Sequence, residues 1–448
     1  GSVGMSIERR YKVLAVLTLI YLVNFIDRQV LSILLQPIKR EFGVSDSVLG
    51  LLVGPTFAFF YATMGVPLAM VADRMDRRRL ITGSLFLFSL TTALCGLVGH
   101  FWQLVLVRIG TGIGEAGTGP ASQTIITDIF PPAERVRAQA IYATGANLGV
   151  LVAFAAGGIV AERFGWRAAF RLAGLPGIVL AVVAWRLLRG LGQRAVVPAG
   201  RAVAAAGASL SAFRQSAGLL WRLRSFRLIL LGACMTCFSG NALVAFFPAF
   251  LERTHGMGMA GIGLTIALIV GLGGGTATYL AGVVTDRLRP RDDRWSLWVP
   301  ALAALLGLPL APICFLADDR ALVLAAAILP LSVTAAFIGP VINTVQELAP
   351  GGIRATAVAV LILVDNLIGL GLGPQFVGIA SDLLRPALGA DSLRWGLLLS
   401  CGGYAVSALG FLLAARHLRA DLAQIRGRAA GAVRADLLRD HADLSNGR

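Results

Sequence analysis

Charge is what this sequence has least of. Asp, Glu, Lys and Arg make up 14% of its 448 residues, where a soluble globular chain carries about a quarter. That shortage excludes an ordinary water-facing surface. Catalytic constellations are missing as well: no nucleophile–base set, metal-ligand cluster or phosphate-binding loop in its proper context is present, so no enzyme is expected. The glycines Gly110, Gly112, Gly114, Gly117 and Gly119 imitate a nucleotide loop. They lie inside an apolar helix with no strand before it, and so fail that motif's context. Cysteine is scarce. The five residues Cys95, Cys234, Cys237, Cys314 and Cys401 all fall in apolar stretches, which reads as free thiols in packed helices rather than a disulfide framework. Cys234 and Cys237 form a C-x-x-C without the partner ligands a metal site needs, and no cofactor is expected.

What is present is apolar residue, 56% of the chain, gathered in long runs. About 20 such residues cross a bilayer as a helix, and only helices or closed barrels satisfy their own backbone there. Twelve spans are predicted, over 11–36, 47–72, 80–99, 101–127, 138–161, 167–188, 226–250, 258–284, 297–316, 321–345, 354–382 and 393–416. They divide the chain into an N-terminal scar and cytosolic tail (1–10), an N-terminal six-helix bundle (11–188), a cytosolic central linker (189–225), a C-terminal six-helix bundle (226–416) and a cytosolic C-terminal tail (417–448). Gly1 to Gly4 read as a cloning scar, and no cleavable signal peptide is expected, because the first run is too long and carries Asp27 and Arg28. In the tail, Leu418, Leu422, Ile425 and Val433 recur among charges at helical spacing, which suits an amphipathic helix on the membrane surface or a plain solubilising tail.

The formal net charge of +16 reads as topology rather than as a nucleic-acid footprint. With the N-terminus in the cytosol, 29 of the 40 Lys and Arg fall on the cytosolic side, nine fall outside, and Arg28 and Arg108 lie within spans. The positive-inside rule therefore places both termini in the cytosol.

The two halves repeat each other. Ala69-x-x-x-Asp73-Arg74-x-Asp76-Arg77-Arg78-Arg79 follows span 2, and Gly282-x-x-x-Asp286-Arg287-x-Arg289 follows span 8. Asp128-Ile-Phe-Pro131-Pro132-Ala-Glu134-Arg135-Val-Arg137 follows span 4, and Glu347-Leu-Ala-Pro350-Gly-Gly-Ile-Arg354 follows span 10. Two motifs repeating in register fit a transporter built from parallel repeats.

On these motifs the chain resembles the major facilitator superfamily over essentially its whole length. The resemblance implies an all-α membrane protein of twelve transmembrane helices in two pseudo-symmetric six-helix bundles. It also implies a cytosolic gate, in which Asp73, with Arg74, Arg77 and Arg78, faces the start of span 11 near Gly352, while Asp286 and Arg287 face Arg135 or Arg137. Asp76 departs from that family's pattern, which has a glycine there. A narrower resemblance rests on Asn24-Phe-Ile-Asp27-Arg28-Gln-Val-Leu31, Pro37-Ile38-Lys39-x-Glu41, Ser45-Asp46, Tyr61, Pro67, and Arg108-Ile-Gly-Thr-Gly112-Ile-Gly114-Glu115-Ala116. These look like the spinster family, although bacterial organic-anion symporters carry a similar Asn-x-x-Asp-Arg.

Asp27 and Arg28 fall near the middle of span 1, and Arg108 and Glu115 in span 4. A charge at that depth costs about 2.5–3.5 kcal/mol on insertion scales, so such residues normally face the bundle interior and pair. Arg108 and Glu115, seven apart, share a helix face. Asp27 and Glu115 are the expected proton sites, with Arg28 and Arg108 as charge partners or headgroup anchors; a permanently paired structural network is the alternative. Asn24, Tyr61, Asn241, Phe246, Phe247, Phe337, Asn343 and Asp365 are candidate cavity residues, the phenylalanines serving equally well as ordinary packing. The spinster resemblance implies lysophospholipid- or sphingolipid-like cargo moved with protons by alternating access. Small organic anions such as sugar acids are the alternative, favoured if the second-half wall proves hydrophilic. Partners are then a lipid-like substrate and the bilayer, without nucleic acid, for a monomer in a bacterial inner membrane.

Overall fold

Local capping chemistry sets where several helices begin and end. Ser6 accepts from Arg9 N to open the first helix, and Ser45 accepts from Val48 N to open the second. Gly43 and Gly256 end spans 1 and 7 with φ of 64° and 58°, a left-handed conformation that glycine adopts without a steric penalty. Asp76 accepts from Arg78 N and caps span 3, which gives a physical role to the residue that departs from the superfamily motif. The computed structural model describes residues 6–72, 76–189, 215, 217–349 and 353–446.

Twelve helical segments run back and forth. Span 1 is Ile7–Phe42, span 2 Asp46–Val53 with Pro55–Ala72, span 3 Arg77–Cys95, and span 4 Phe101–Glu115 with Thr118–Ile129. Spans 5, 6 and 7 are the unbroken helices Pro132–Phe164, Trp166–Leu187 and Arg224–His255. Span 8 joins Met259–Ile266 to Gly274–Leu288 through a π-helical turn, Ala267–Gly273. Span 9 is Trp295–Gly307 with Leu310–Leu316, and span 10 is Arg320–Ala336 with Ile338–Glu347. Span 11 joins Arg354–Val364 to Gly371–Leu388 through a second π turn, Asp365–Leu370, and span 12 is Ser392–Ser400 with Gly402–Asn446. No strand occurs among the described residues. Nine described helical stretches are long and apolar enough to cross a membrane, and the last, Thr356–Ile425, takes in both spans 11 and 12. The two that fall short have visible reasons: span 3 opens on three arginines, and span 4 carries Arg108 and Glu115 in its apolar run.

Packing repeats with an offset of six. Span 1 packs on span 5, span 3 on span 6 and span 2 on span 4; in the same way span 7 packs on span 11, span 9 on span 12 and span 8 on span 10. The halves meet where span 2 lies on span 11 and span 5 on span 8, two contacts that a pseudo-two-fold axis exchanges.

The core shows which end is shut. At the face opposite the chain termini, one continuous apolar cluster joins both halves, from Val30–Ile38 and Phe154 across to Ala242–Leu251 and Phe315. At the terminal face the described residues of the two halves form separate cores. One holds Val13–Val23, Leu80–Phe88 and Tyr142; the other holds Phe226, Phe337, Val341 and Phe411. Glycine permits the close approach at the shut end: a Cβ at Gly158 would overlap the Met259 carbonyl, and one at Gly263 the Phe154 carbonyl. Span 12 continues into the tail as one helix. Leu418 and Leu422 are buried there against the second-half core beside Leu220 and Phe226, and Ile425 packs on the same cluster. These residues are therefore a seam of the bundle rather than a membrane-surface stripe. Val433 lies outside the described side chains. The end of the sequence-defined linker likewise belongs to the second bundle, since Leu220 and Leu223 are buried in its core.

Candidate functional site

The helical spacing of span 1 places Asn24, Asp27 and Arg28 on neighbouring positions of one face. The Asn24 and Arg28 side chains turn toward span 4. The Arg28 guanidinium donates to Glu115 Oε2 at 2.8 Å, and Glu115 is fully buried. Arg108 does not reach the Asp27 carboxylate with a hydrogen bond; its Nη1 donates instead to the Asp27 main-chain carbonyl at 3.2 Å. The Asp27 carboxylate is buried beside the Thr92 hydroxyl of span 3 without a well-formed hydrogen bond to either oxygen, and Glu115 Oε1 is buried without a hydrogen-bond partner. Asn24 Nδ2 donates to Thr118 Oγ1 at 2.7 Å, and Thr118 donates to the Glu115 carbonyl at 3.0 Å, at the break in span 4.

An aromatic cage covers the two cations. The Arg28 guanidinium lies 5.4 Å from the Phe25 ring, 5.0 Å from Phe57 and 5.1 Å from Tyr61. Arg108 lies 4.9 Å from the same Phe57 ring. Ring faces carry negative potential, so they stabilise the buried Arg108 and the half-buried Arg28. Gly112 lets the helices come this close, since a Cβ there would stand 3.0 Å from the Phe57 carbonyl. Phe57 is a site residue that sequence reasoning missed. Its signal was its spacing of four from Tyr61, on whose ring it stacks at 5.5 Å.

A crevice of about 20 Å³ lies between the halves at this point, room for about one water. Arg28, Gln29, Ser32, Phe57 and Arg108 form its first-half wall, and Asn241, Val244, Ala245, Leu370 and Pro374 its second-half wall. The first-half wall thus carries both cations beside the apolar Phe57 and Val53, and the second-half wall is apolar apart from Asn241, whose amide nitrogen donates to the Cys237 carbonyl at 2.8 Å.

Other predicted cavity residues lie elsewhere. Phe246 and Phe247 are fully buried in the core of the shut end, with Phe247 against Phe250 and Phe315, so they face no cavity. Phe337 is buried in the second-half core. Asn343 is exposed near the terminal-face end of span 10. The three phenylalanines are corrected: an apolar side chain on a helix face does not reveal from sequence which neighbour it meets. Asp365 opens the π turn of span 11 beside Cys234, and its Oδ1 is buried without a hydrogen-bond partner.

At the shut face, span 2 is clasped to the second half. Arg253 donates to Asp46 through Nη1 at 2.8 Å and Nη2 at 2.5 Å, Ser381 Oγ donates at 2.8 Å, and Lys39 of the same half donates at 2.6 Å. Asp382 accepts from the Asp46 and Ser47 N–H groups at 3.1 and 2.7 Å, placing a carboxylate at the positive end of span 2. Arg40 pairs with Glu252, and Glu162 accepts from Ala260 N at 2.7 Å. Sequence reading missed this clasp because charges at span ends read as topology.

At the terminal face, Asp73 and Arg74 lie outside the described residues. Arg77 pairs with Asp128 of its own half, and Arg289 with Glu347 of its own half. Arg78 donates to the Trp185 carbonyl at 2.6 Å and covers the Trp185 ring. Arg135 donates to the Phe130 carbonyl at 3.0 Å. Arg137, Asp286 and Arg287 are exposed. Among the described residues, one arginine of each basic loop binds the acid that begins the second duplicated motif of its own half.

The Major Facilitator Superfamily model matches residues 17–374. A Mycolicibacterium smegmatis MFS-type efflux pump is 33% identical over 419 residues, 93% of this chain and 95% of that protein. A probable L-galactonate transporter of Escherichia coli is 30% identical over 287 residues, 62% of this chain and 63% of its own length. Among solved structures, a bacterial homologue of the human lysosomal transporter Spinster, in an inward-facing and unoccupied conformation, superposes with a TM-score of 0.83 at 30% identity, covering 93% of this chain and 99% of that one. Fold, duplication and sequence agree: the chain belongs to the major facilitator superfamily, a family of transporters rather than enzymes, and is a multi-pass membrane transporter of the spinster type.

Proposed function

We propose that the chain is a proton-coupled transporter of anionic amphiphiles, of the lysophospholipid or sphingolipid class, working by alternating access. The observation that carries this reading is the nest of Asp27, Arg28, Arg108 and Glu115 at the crevice between the halves. Glu115 holds Arg28 through one oxygen while its other oxygen is bare. A proton on Glu115 weakens that hold and releases a guanidinium toward the crevice. Asp27 is buried beside the Thr92 hydroxyl and near Arg108, where a proton can be taken up or released without contact with the surrounding lipid. Arg28 and Arg108 then anchor an anionic headgroup, and the Val244, Ala245 and Leu370 wall receives an apolar chain. With both termini in the cytosol of a bacterial inner membrane, as the Lys and Arg distribution favours, the face that is shut is the outer one and the protein is inward-facing.

A second reading is a proton symporter of sugar acids. The similarity to the probable L-galactonate transporter supports it, and the two arginines suit a carboxylate. The mostly apolar second-half wall favours the amphiphile.

Purified protein in liposomes decides between them. Lysophosphatidylglycerol and galactonate are offered separately, with and without a pH gradient, to the wild type, Asp27→Asn and Glu115→Gln. Gradient-driven lysolipid movement, lost in both variants, is expected. Gradient-driven galactonate uptake with lysolipid inert gives the second reading. PH dependence unchanged in both variants overturns the assignment of the proton sites.

A further inference from the structure

The shut face carries a second cavity that the transport reading does not use. It measures about 700 Å³ and lies between the Gly43–Val44 turn and the Gly389–Ala390 turn, across the joint between the halves. Gln36, Lys39, Arg40, Asp46, Arg253 and Arg385 line it, so its wall holds four cations and one carboxylate. Asp46 uses one proton of Lys39 and two of Arg253, of the three and five that those groups carry. Arg385 is exposed and has no ion pair among the described residues. Gln36 is only 7% exposed, and its Nε2 is buried without a hydrogen-bond partner.

Donors therefore exceed acceptors on this wall, and one of them is a buried amide with nothing to bond. A buried donor left unmade is costly, and a ligand rich in acceptor oxygens satisfies it together with the spare ammonium and guanidinium protons. We propose that this basin binds an oxyanion, phosphate or a phosphorylated headgroup, through Gln36, Lys39, Arg253 and Arg385. The site is separate from the central crevice and shares no residue with it. Lys39 and Arg253 also hold Asp46, so a bound oxyanion and the clasp draw on the same two cations. An oxyanion held by Gln36 and Lys39 of one half and by Arg253 and Arg385 of the other bridges the joint, so occupancy favours the closed state of this face. Inorganic phosphate and an anionic lipid headgroup present the same chemistry.

Calorimetric titration of the full-length protein in phosphatidylcholine nanodiscs tests this, with inorganic phosphate as the probe and ionic strength held constant with chloride. Saturable binding is expected. Arg385→Gln and Gln36→Leu should each weaken it about tenfold, close to one charge-assisted hydrogen bond. Arg320→Gln, which alters an exposed arginine outside the basin, should leave it unchanged. Arg385 is exposed, so its variant keeps the fold and stands as the decisive one if Gln36→Leu expresses poorly. A second arm uses discs containing phosphatidylglycerol. If the headgroup is the occupant, phosphate no longer titrates in the wild type and the lipid raises the melting midpoint of the wild type but not of Arg385→Gln; if phosphate affinity is unchanged, the free anion is the ligand. Absence of saturation in phosphatidylcholine discs, or equal affinity in wild type and Arg385→Gln, overturns the proposal while leaving the central transport site untouched.

Discussion

Replacing Asp46 by asparagine should open the shut face. Asp46 is 1% exposed and takes two hydrogen bonds from Arg253 and one from Ser381, all across the joint between the halves. Hydrogen bonds to charged groups contribute about 1.5–3 kcal/mol each. Arg253 is 21% exposed, and water at the rim screens the pair, so about 2 kcal/mol for the whole contact is a fair figure. Those bonds exist only while the halves are closed at this face, so their loss acts wholly on the conformational equilibrium. Since about 1.4 kcal/mol is a factor of ten, the ratio of open to closed molecules rises about thirtyfold. Asparagine keeps the volume and can still accept one bond, but it leaves Lys39 and Arg253 facing each other without a counter-charge. Spin labels at cysteines replacing the exposed Phe164 and Leu388, one in each half, report the change as a distance distribution by double electron–electron resonance. A long-distance population growing in Asp46→Asn is expected. A distribution identical to that of the labelled parent refutes the clasp.

Two further substitutions test neighbouring steps of the reasoning. Gly158→Val places a side chain against the Met259 carbonyl, so the same labels should show the shut face pried apart while the protein still folds. Phe337→Ala removes a buried ring from the second-half core and should cost about 3–5 kcal/mol of stability, seen as a lower thermal midpoint with cargo affinity unchanged.

The apolar runs and the duplicated loops made the twelve spans and their division into two halves legible, because membrane crossing imposes length and hydropathy directly. The buried charges were legible for the same reason: Asp27, Arg28, Arg108 and Glu115 are conspicuous in apolar surroundings. Their pairing was not. That Arg28 takes Glu115 while Arg108 settles on the Asp27 carbonyl depends on how spans 1 and 4 are rotated and on the break after Glu115. Phe57 was hidden because a phenylalanine in an apolar run resembles any packing residue; Phe246 and Phe247 were offered as cavity residues for the converse reason. The Asp46–Arg253 contact spans 207 residues and joins two span ends whose charges look like topology. The π turns at Ala267–Gly273 and Asp365–Leu370 leave the hydropathy pattern unbroken, and only the backbone shows them.

Proton movement measured together with cargo movement tests the central claim most directly. Wild-type protein in liposomes loaded with a pH-sensitive dye is given lysophosphatidylglycerol, and the internal pH is followed in parallel with Asp27→Asn and Glu115→Gln. The account predicts a pH change that requires cargo in the wild type and is absent from both variants. Cargo movement without any pH change in the wild type, or an undiminished pH change in both variants, would contradict it.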